Sequence, residues 1–245
     1  MKQDHLVTQA ARTAPAKRET IRRIVSAARQ EFAIKGLADA RIEVIAQNAG
    51  VTKQLIYHYF KGKTELFACV LDESSDDTMS RLVALDLDHL SPIEAVRAFL
   101  GHMFDQFHVN PSLGALAQEG IRFHGSHATP HARFPDLAPL LERKLKVILA
   151  RGAENGDFKP GVDASLLFTA AGLLTTGVFT SPYLVSVLSG LNPDAPADVE
   201  TWRNYAVDFV ISAISPRAAG HTSQCPLPTR RMDLADEPRL QYKLA

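Results

Sequence analysis

Three features of the sequence predict an all-α fold. Apolar residues recur at three- and four-residue spacing through most of positions 16–215, and β-branched alternation over four or more residues is absent. Gly or Pro punctuates the chain at intervals of helical length. The 245 residues, 46% hydrophobic and 22% charged, can build a sizeable core in one or two domains.

Residues 1–15 are polar, carry Ala-Pro punctuation and show no periodicity, so they read as a mobile arm. The first helix is expected over 16–35, where Ile21, Ile24, Val25, Ala28 and Phe32 form one stripe and Gly36 follows as a natural terminator. A short helix over 41–48 turns Ile42, Ile45, Ala46 and Ala49 inward and ends at Gly50. Thr52 can cap the next helix, 53–60, while Val51 and Ile56 are spaced for a hydrophobic staple. A longer helix begins at 63 and reaches about 80, with Leu66, Phe67, Val70 and Leu71 on its apolar side. Further helices are expected over 92–109, 111–124, 135–155, 163–180 and 197–214. Their starts are marked by Ser91-Pro92, Asn110-Pro111, Phe134-Pro135, Asp163 and Pro196-Ala197-Asp198. Residues 216–245 lack an apolar stripe and read as a disordered tail. The expected organisation is therefore an arm (1–15), a three-helix unit (16–62), a helical body (63–215) and a tail (216–245).

The formal charge is zero, 27 Lys plus Arg against 27 Asp plus Glu, which alone argues against a nucleic-acid binder. The distribution reverses that inference. Residues 1–65 hold twelve basic and six acidic side chains, and residues 66–245 hold fifteen and twenty-one. A basic end on an acidic body suits a molecule that meets phosphate at one end only. Cys69 and Cys225 provide neither a disulfide framework nor a C-x-x-C motif, and the first residues contain no apolar signal core, so a cytoplasmic setting is expected. The uncharged stretch 164–193 is rich in Ser, Thr and Gly and broken at Pro182. It reads as a helix buried in the protein or in a subunit interface rather than as a lipid-facing span.

Two short helices joined by a tight Gly-containing turn and braced by a preceding helix describe a helix-turn-helix, whose second member can enter a DNA major groove. Lys53, Gln54, Tyr57 and His58 lie near the start or on one side of that member. Lys and Gln can donate to base acceptors, and Gln can pair with adenine. Tyr59, Lys61 and Lys63 suit phosphate contacts, as does Arg41 ahead of the preceding helix.

The run Ile45-Ala46-Gln47-Asn48-Ala49-Gly50-Val51, then Tyr57-His58-Tyr59-Phe60, then Lys63-Thr64-Glu65-Leu66 resembles the DNA-binding domain of the TetR family of bacterial transcriptional regulators, and the likeness extends over about 18–72. The resemblance implies that Gly50 is the turn residue, that Ala46, Ala49 and Val51 pack the two helices, and that Thr52, Lys53, Gln54, Tyr57 and His58 face DNA, with Tyr59 and Lys63 on phosphates. Two positions depart from the family pattern, where Thr is frequent: Ala40, for which Asp39 is expected to cap instead, and Leu55, which offers only an apolar contact. In this family the remainder of the chain is a helical ligand-sensing and dimerisation domain. The order Glu119, Gly152 to Phe158, a small-residue helix near Gly172 and Ser181-Pro182-Tyr183 resembles one subgroup.

Within the body, Met103, Phe104, Phe107, Phe123, Phe168 and Phe179 are candidates to line a pocket, with His102, Glu119, Arg122 or His124 as polar anchors. Each Phe taken alone more often belongs to the core. His124, His127 and His131 share a helical spacing, but Gly125 and Pro130 favour a surface loop, so neither a metal nor a cofactor is expected. The helices 163–180 and 197–214, the second with Trp202, Tyr205, Phe209 and Val210, carry more apolar surface than one small body needs, which suits a homodimer. The expected protein is a dimeric repressor that holds a palindromic operator and leaves it when a small effector binds. The competing reading is an enzyme or helical small-molecule binder whose basic hairpin is not used on DNA. The sequence lacks G-x-S-x-G, P-loop, G-x-G-x-x-G and H-E-x-x-H motifs.

Overall fold

The structure is a computed structural model that describes residues 2–125 and 134–216, with side chains described from Ala16 onward except at 124, 134 and 135. Its regular structure is helical: α1 Lys2–Asp39, α2 Ile42–Ala49, α3 Lys53–Tyr59, α4 Lys63–Ala84, α5 Pro92–Val109, α6 Ser112–His124, α7 Phe134–Glu154, α8 Ala164–Thr180, α9 Pro182–Ser189 and α10 Pro196–Ile214.

Several elements differ from the sequence expectation. The stretch 2–15 continues the helix of α1 instead of forming an aperiodic arm. Its Ala, Lys, Arg and Gln residues are strong helix formers, and propagation from the apolar turns beyond 16 adds a hydrogen bond per residue without a new nucleus. Helix α1 breaks its geometry at Gly36, whose φ of 67° and ψ of 179° lie in a region open essentially to glycine, before a last turn to Asp39. Helix α4 runs past 80 to Ala84, where the Lys144 ammonium caps it by donating to Val83 O (2.6 Å) and to Leu85 O. Helix α9 was not expected. Pro182 restarts the chain after α8 at an 89° bend, and Gly190 stops it in the left-handed region. No single described helix is long and apolar enough to cross a membrane, although α8 and α9 together pass a test of length and composition. The tail beyond 216 and residues His127 and His131 lie outside the described residues, as does the side chain of His124.

Other starts follow the sequence. Ser91 and Glu94 form a reciprocal capping box at α5, and Asp163 accepts the Ser165 and Leu166 N–H groups, both at 2.9 Å, at α8.

Two large apolar clusters organise the molecule, and a small third one joins Phe104, Val178, Val185 and Val199. One joins Ile24, Ala28 and Phe32 of α1, Ile45 of α2, Ile56 of α3 and Leu66, Phe67 and Val70 of α4 to Leu116 and Phe123 of α6. In it Phe67 meets Phe32 edge-on at 4.9 Å and Phe123 at 5.2 Å between centroids. The other joins Leu82, Phe99, Leu100, Met103, Leu141, Leu145, Val207 and Ile211 from α4, α5, α7 and α10. Helix α10 is locked to α5 by Arg203, which donates to both Asp105 oxygens at 2.8 and 2.9 Å.

Candidate nucleic-acid interface and ligand pocket

The hairpin is fixed by its own backbone chemistry. Gly50 adopts φ 63° and ψ 41°, and the N–H groups of Gly50 and Val51 return to Gln47 O (3.1 Å) and Ala46 O (3.0 Å), satisfying the last carbonyls of α2. Thr52 then caps α3 as expected, its hydroxyl oxygen accepting the Leu55 N–H at 3.3 Å. Ile56 and Phe60 anchor α3 in the core, leaving Lys53, Gln54, Tyr57 and His58 exposed together on the opposite side. That face is what a major groove would meet.

The start of α2 is built differently from the expectation. Asp39 does not cap it; the backbone N–H of Arg41 donates instead to Glu31 Oε1 at 3.1 Å. Glu31 is a buried carboxylate from α1, and an N-terminal N–H with the positive end of the helix dipole is the partner such a group requires. The Arg41 side chain remains on the exposed edge.

Two lysines are engaged within the fold. The Lys53 ammonium hydrogen-bonds the Glu43 carboxylate of α2 and lies 6.0 Å from the Tyr57 ring centroid. This bond raises the lysine pKa and lowers that of Glu43. The pair is solvent-exposed, so phosphate can compete for it at little expense. Lys63 donates to Ala38 O (2.7 Å) and Ala40 O (3.1 Å), bracing the α1–α2 connection from the first residue of α4. An ammonium has three donors, so one remains for an outside acceptor. Tyr59 is half-buried, with the Lys17 ammonium 5.7 Å from its ring centroid. Lys17 has no local signal in the sequence, because its neighbour is forty-two positions away on another helix. A groove of about 390 Å³ alongside, lined by Arg22, Arg23, Gln30 and Asn48 among others, adds to the basic, polar character of this end.

The body separates the residues considered for ligand binding. His102 lines a cavity of about 230 Å³ between α4 and α5, together with Asp77, Thr78, Arg81, Asp105, Gln106 and Leu113. Met103 is buried in the body cluster, and Phe168 packs against the same cluster, edge-on to Phe99 at 6.1 Å. Phe107 and Phe179 stack on each other at 6.0 Å. Glu119 and Phe123 are not brought to this cavity. Helix α6 turns them toward α1, where Glu119 Oε2 accepts the Leu37 N–H at 3.4 Å beside the Gly36 break and also pairs with Arg122. Phe123 closes the N-terminal cluster. Gln106, which the sequence reading passed over, stands one turn beyond His102 on α5. No group of three or more His, Cys, Asp or Glu side chains suited to a metal occurs among the described residues.

A braced helical hairpin with a polar, basic outer face, set on a helical body with a cavity in its side, defines the class of one-chain helix-turn-helix regulators. The comparisons narrow the class. The family model described as bacterial regulatory proteins, tetR family, matches residues 24–70, and the one described as the tetracyclin repressor-like C-terminal domain matches 92–210. The chain belongs to the TetR family of bacterial transcriptional regulators. Among curated relatives it is 37% identical over 110 residues to the HTH-type transcriptional repressor SCO4008 of Streptomyces coelicolor, covering 44% of this chain and 53% of that protein. It is 28% identical over 180 residues to the transcriptional repressor KstR2 of Rhodococcus jostii, covering 65% and 85%. The chain thus spans about half the length of SCO4008. The solved structure of SCO4942 from Streptomyces coelicolor superposes with a TM-score of 0.60 at 24% identity, covering 81% of this chain and 99% of that one, a likeness of fold.

Proposed function

We propose that the protein is a homodimeric transcriptional repressor that occupies a palindromic operator and releases it when a small molecule binds the body. The observation that carries this reading is the exposed set Lys53, Gln54, Tyr57 and His58 on a helix whose other side is anchored by Ile56 and Phe60. Thr52 joins that set at the groove, while Arg41, Tyr59 and Lys63 take backbone phosphates.

A dimer is supported by the uncharged outer side of the body. Leu173 on α8 is 72% exposed and Leu188 on α9 75% exposed, and α10 adds a ladder of Trp202, Tyr205 and Phe209 spaced at 6.2 and 6.0 Å. An apolar surface of this extent is an association surface. A two-fold axis through it presents two copies of α3 to half-sites about one helical turn, ~34 Å, apart. A soluble cytoplasmic dimer follows from this reading. Ligand in the body selects one arrangement of α4 and α6, and the DNA end follows because both helices enter its core.

The test is a mobility-shift titration of the full chain against DNA from upstream of its own gene and against random DNA of equal length. A preferred complex whose affinity falls linearly with the logarithm of salt is expected. Equal affinity for both DNAs would refute the specific-regulator reading and return the enzyme or binder alternative.

A further inference from the structure

The wall of the α4–α5 cavity contains two polar atoms without a partner among the described residues. His102 Nε2 and Gln106 Nε2 are shielded from solvent and make no hydrogen bond to any described residue, and both side chains line the cavity. They stand four residues apart on α5 and therefore share a face. Buried polar groups in folded proteins are nearly always paired, so two orphans on one cavity wall point to a guest that pairs them.

The charged groups around them are already engaged. Asp105 accepts two bonds from Arg203, and Arg81 holds Asp77 through contacts of 3.0 and 3.1 Å. The Thr78 hydroxyl donates to Ser74 O at 2.8 Å and keeps its lone pairs for an incoming donor. Leu113 and Val109 supply apolar wall. The cavity opens to solvent past the exposed Asp77, Arg81 and Val109, and each carboxylate and guanidinium on its wall is already matched within the protein, so no unmatched charge is left to hold an ionic guest. The volume, about 230 Å³, is below the ~300–1,000 Å³ typical of pockets for drug-sized ligands.

We infer that this cavity is the effector site and that it takes a compact, neutral molecule bearing a hydroxyl or carbonyl oxygen, hydrogen-bonded by Gln106 and His102. The inference rests on the ligand-responsive reading above and adds to it the place and charge class of the effector. The Gln106 amide nitrogen donates to the ligand oxygen, and the imidazole Nε2 donates or accepts according to its tautomer. Thr78 and Arg81 put the guest against α4, whose first turns belong to the core of the DNA end.

The experiment titrates the full chain, by calorimetry and thermal shift, with benzamide and benzyl alcohol as neutral probes and benzoate and benzylamine as charged probes of similar size. Saturable binding of a neutral probe is expected, with the charged ones at least tenfold weaker. Gln106→Leu should weaken the neutral probe at least tenfold while leaving the unliganded melting temperature unchanged or higher, since it removes an unpaired polar atom. His102→Leu gives an independent reading should the first variant fold poorly. Failure of both neutral probes, benzoate or benzylamine binding as well as they do, or indifference to both substitutions overturns the assignment. Operator affinity is measured in parallel. Its absence in the unliganded protein defeats the repressor reading, whereas intact operator binding that a bound neutral probe does not weaken defeats only the placement of the effector.

Discussion

The two large apolar clusters differ in the origin of their residues. The body cluster is closed by helices of the body, α4, α5, α7, α8 and α10. The cluster at the DNA end draws on α1 to α4 and then on Leu116 and Phe123 from α6, a helix that begins some fifty residues after α3. The apolar core of the DNA end therefore crosses the boundary expected at residue 62 or 63. The hairpin that would meet DNA shares its core with a helix of the body: α6 packs on α1 and α4, and these in turn hold the hairpin, so the connection runs through packed side chains as well as along the chain.

Phe123→Ala tests this asymmetry most severely. Phe123 is 5% exposed and packed edge-on against Phe67, so its truncation should lower the unfolding free energy by about 3–5 kcal/mol. The loss should appear at the DNA end, as faster amide exchange in α1 to α3. Phe168→Ala, at a half-buried site of the body, should cost less and leave that exchange unchanged. If both variants destabilise the molecule equally and everywhere, the clusters form one cooperative unit and the contrast fails.

The docking face should respond without such losses. Gln54→Ala and Tyr57→Ala remove exposed side chains, and each should weaken operator binding by about 1–3 kcal/mol with the melting temperature unchanged. Lys63→Ala is expected to behave differently. It deletes a possible phosphate contact and also the brace to Ala38 O and Ala40 O, so operator affinity and stability should fall together. A purely DNA-facing lysine would show the first effect alone, in a gel shift set beside a thermal melt.

Glu119→Gln addresses the link between the regions. Glutamine keeps the shape but replaces a charged acceptor of the Leu37 N–H with a neutral one and breaks the pair with Arg122. Unliganded operator affinity should change little, whereas the factor by which effector lowers it, typically worth about 1–3 kcal/mol, should shrink. An unchanged factor would show that coupling travels through Phe123 and Leu116 without this bond.

The DNA end was legible in the sequence because its determinants are local. Gly50, Thr52 and the inward Ile45 and Ile56 act on neighbours within a turn or two, and each does what its spacing predicts. What was missed there has distant partners: Glu31 reaching Arg41 N–H and Lys63 reaching back to Ala38 depend on how α1 meets α2 and α4. The body was legible as helices but not as a site. Phe at helical spacing states that a face is buried and not which helix covers it, so Phe123 and Met103 resembled pocket residues before packing put them in two different cores. Gln106 had a readable signal, a polar residue four positions after His102. Helix α9 had one too, in Ser181-Pro182 and Gly190.

The smallest expected effect concerns the exposed Lys53–Glu43 pair, and it sharpens the contrast from the DNA side. The hydrogen bond from Lys53 holds the Glu43 carboxyl below its ordinary value. A depressed carboxylate contributes stability above its unfolded pKa and loses it as pH falls through the folded one, so the pair persists at neutral pH and opens only in acid, below the ordinary glutamate range. Both groups are exposed, so Glu43→Gln should leave the melting temperature at pH 7 within error. What changes is the state of Lys53 before DNA arrives. Freed from α2, the ammonium no longer has to exchange a carboxylate for a phosphate, and the acidic charge beside the duplex is gone. Operator affinity should therefore rise a few-fold at low salt, and the gain should shrink as salt screens both terms. A fall in affinity would mean that Glu43 is needed to aim Lys53, so that the pair observed without DNA is already the arrangement used on it.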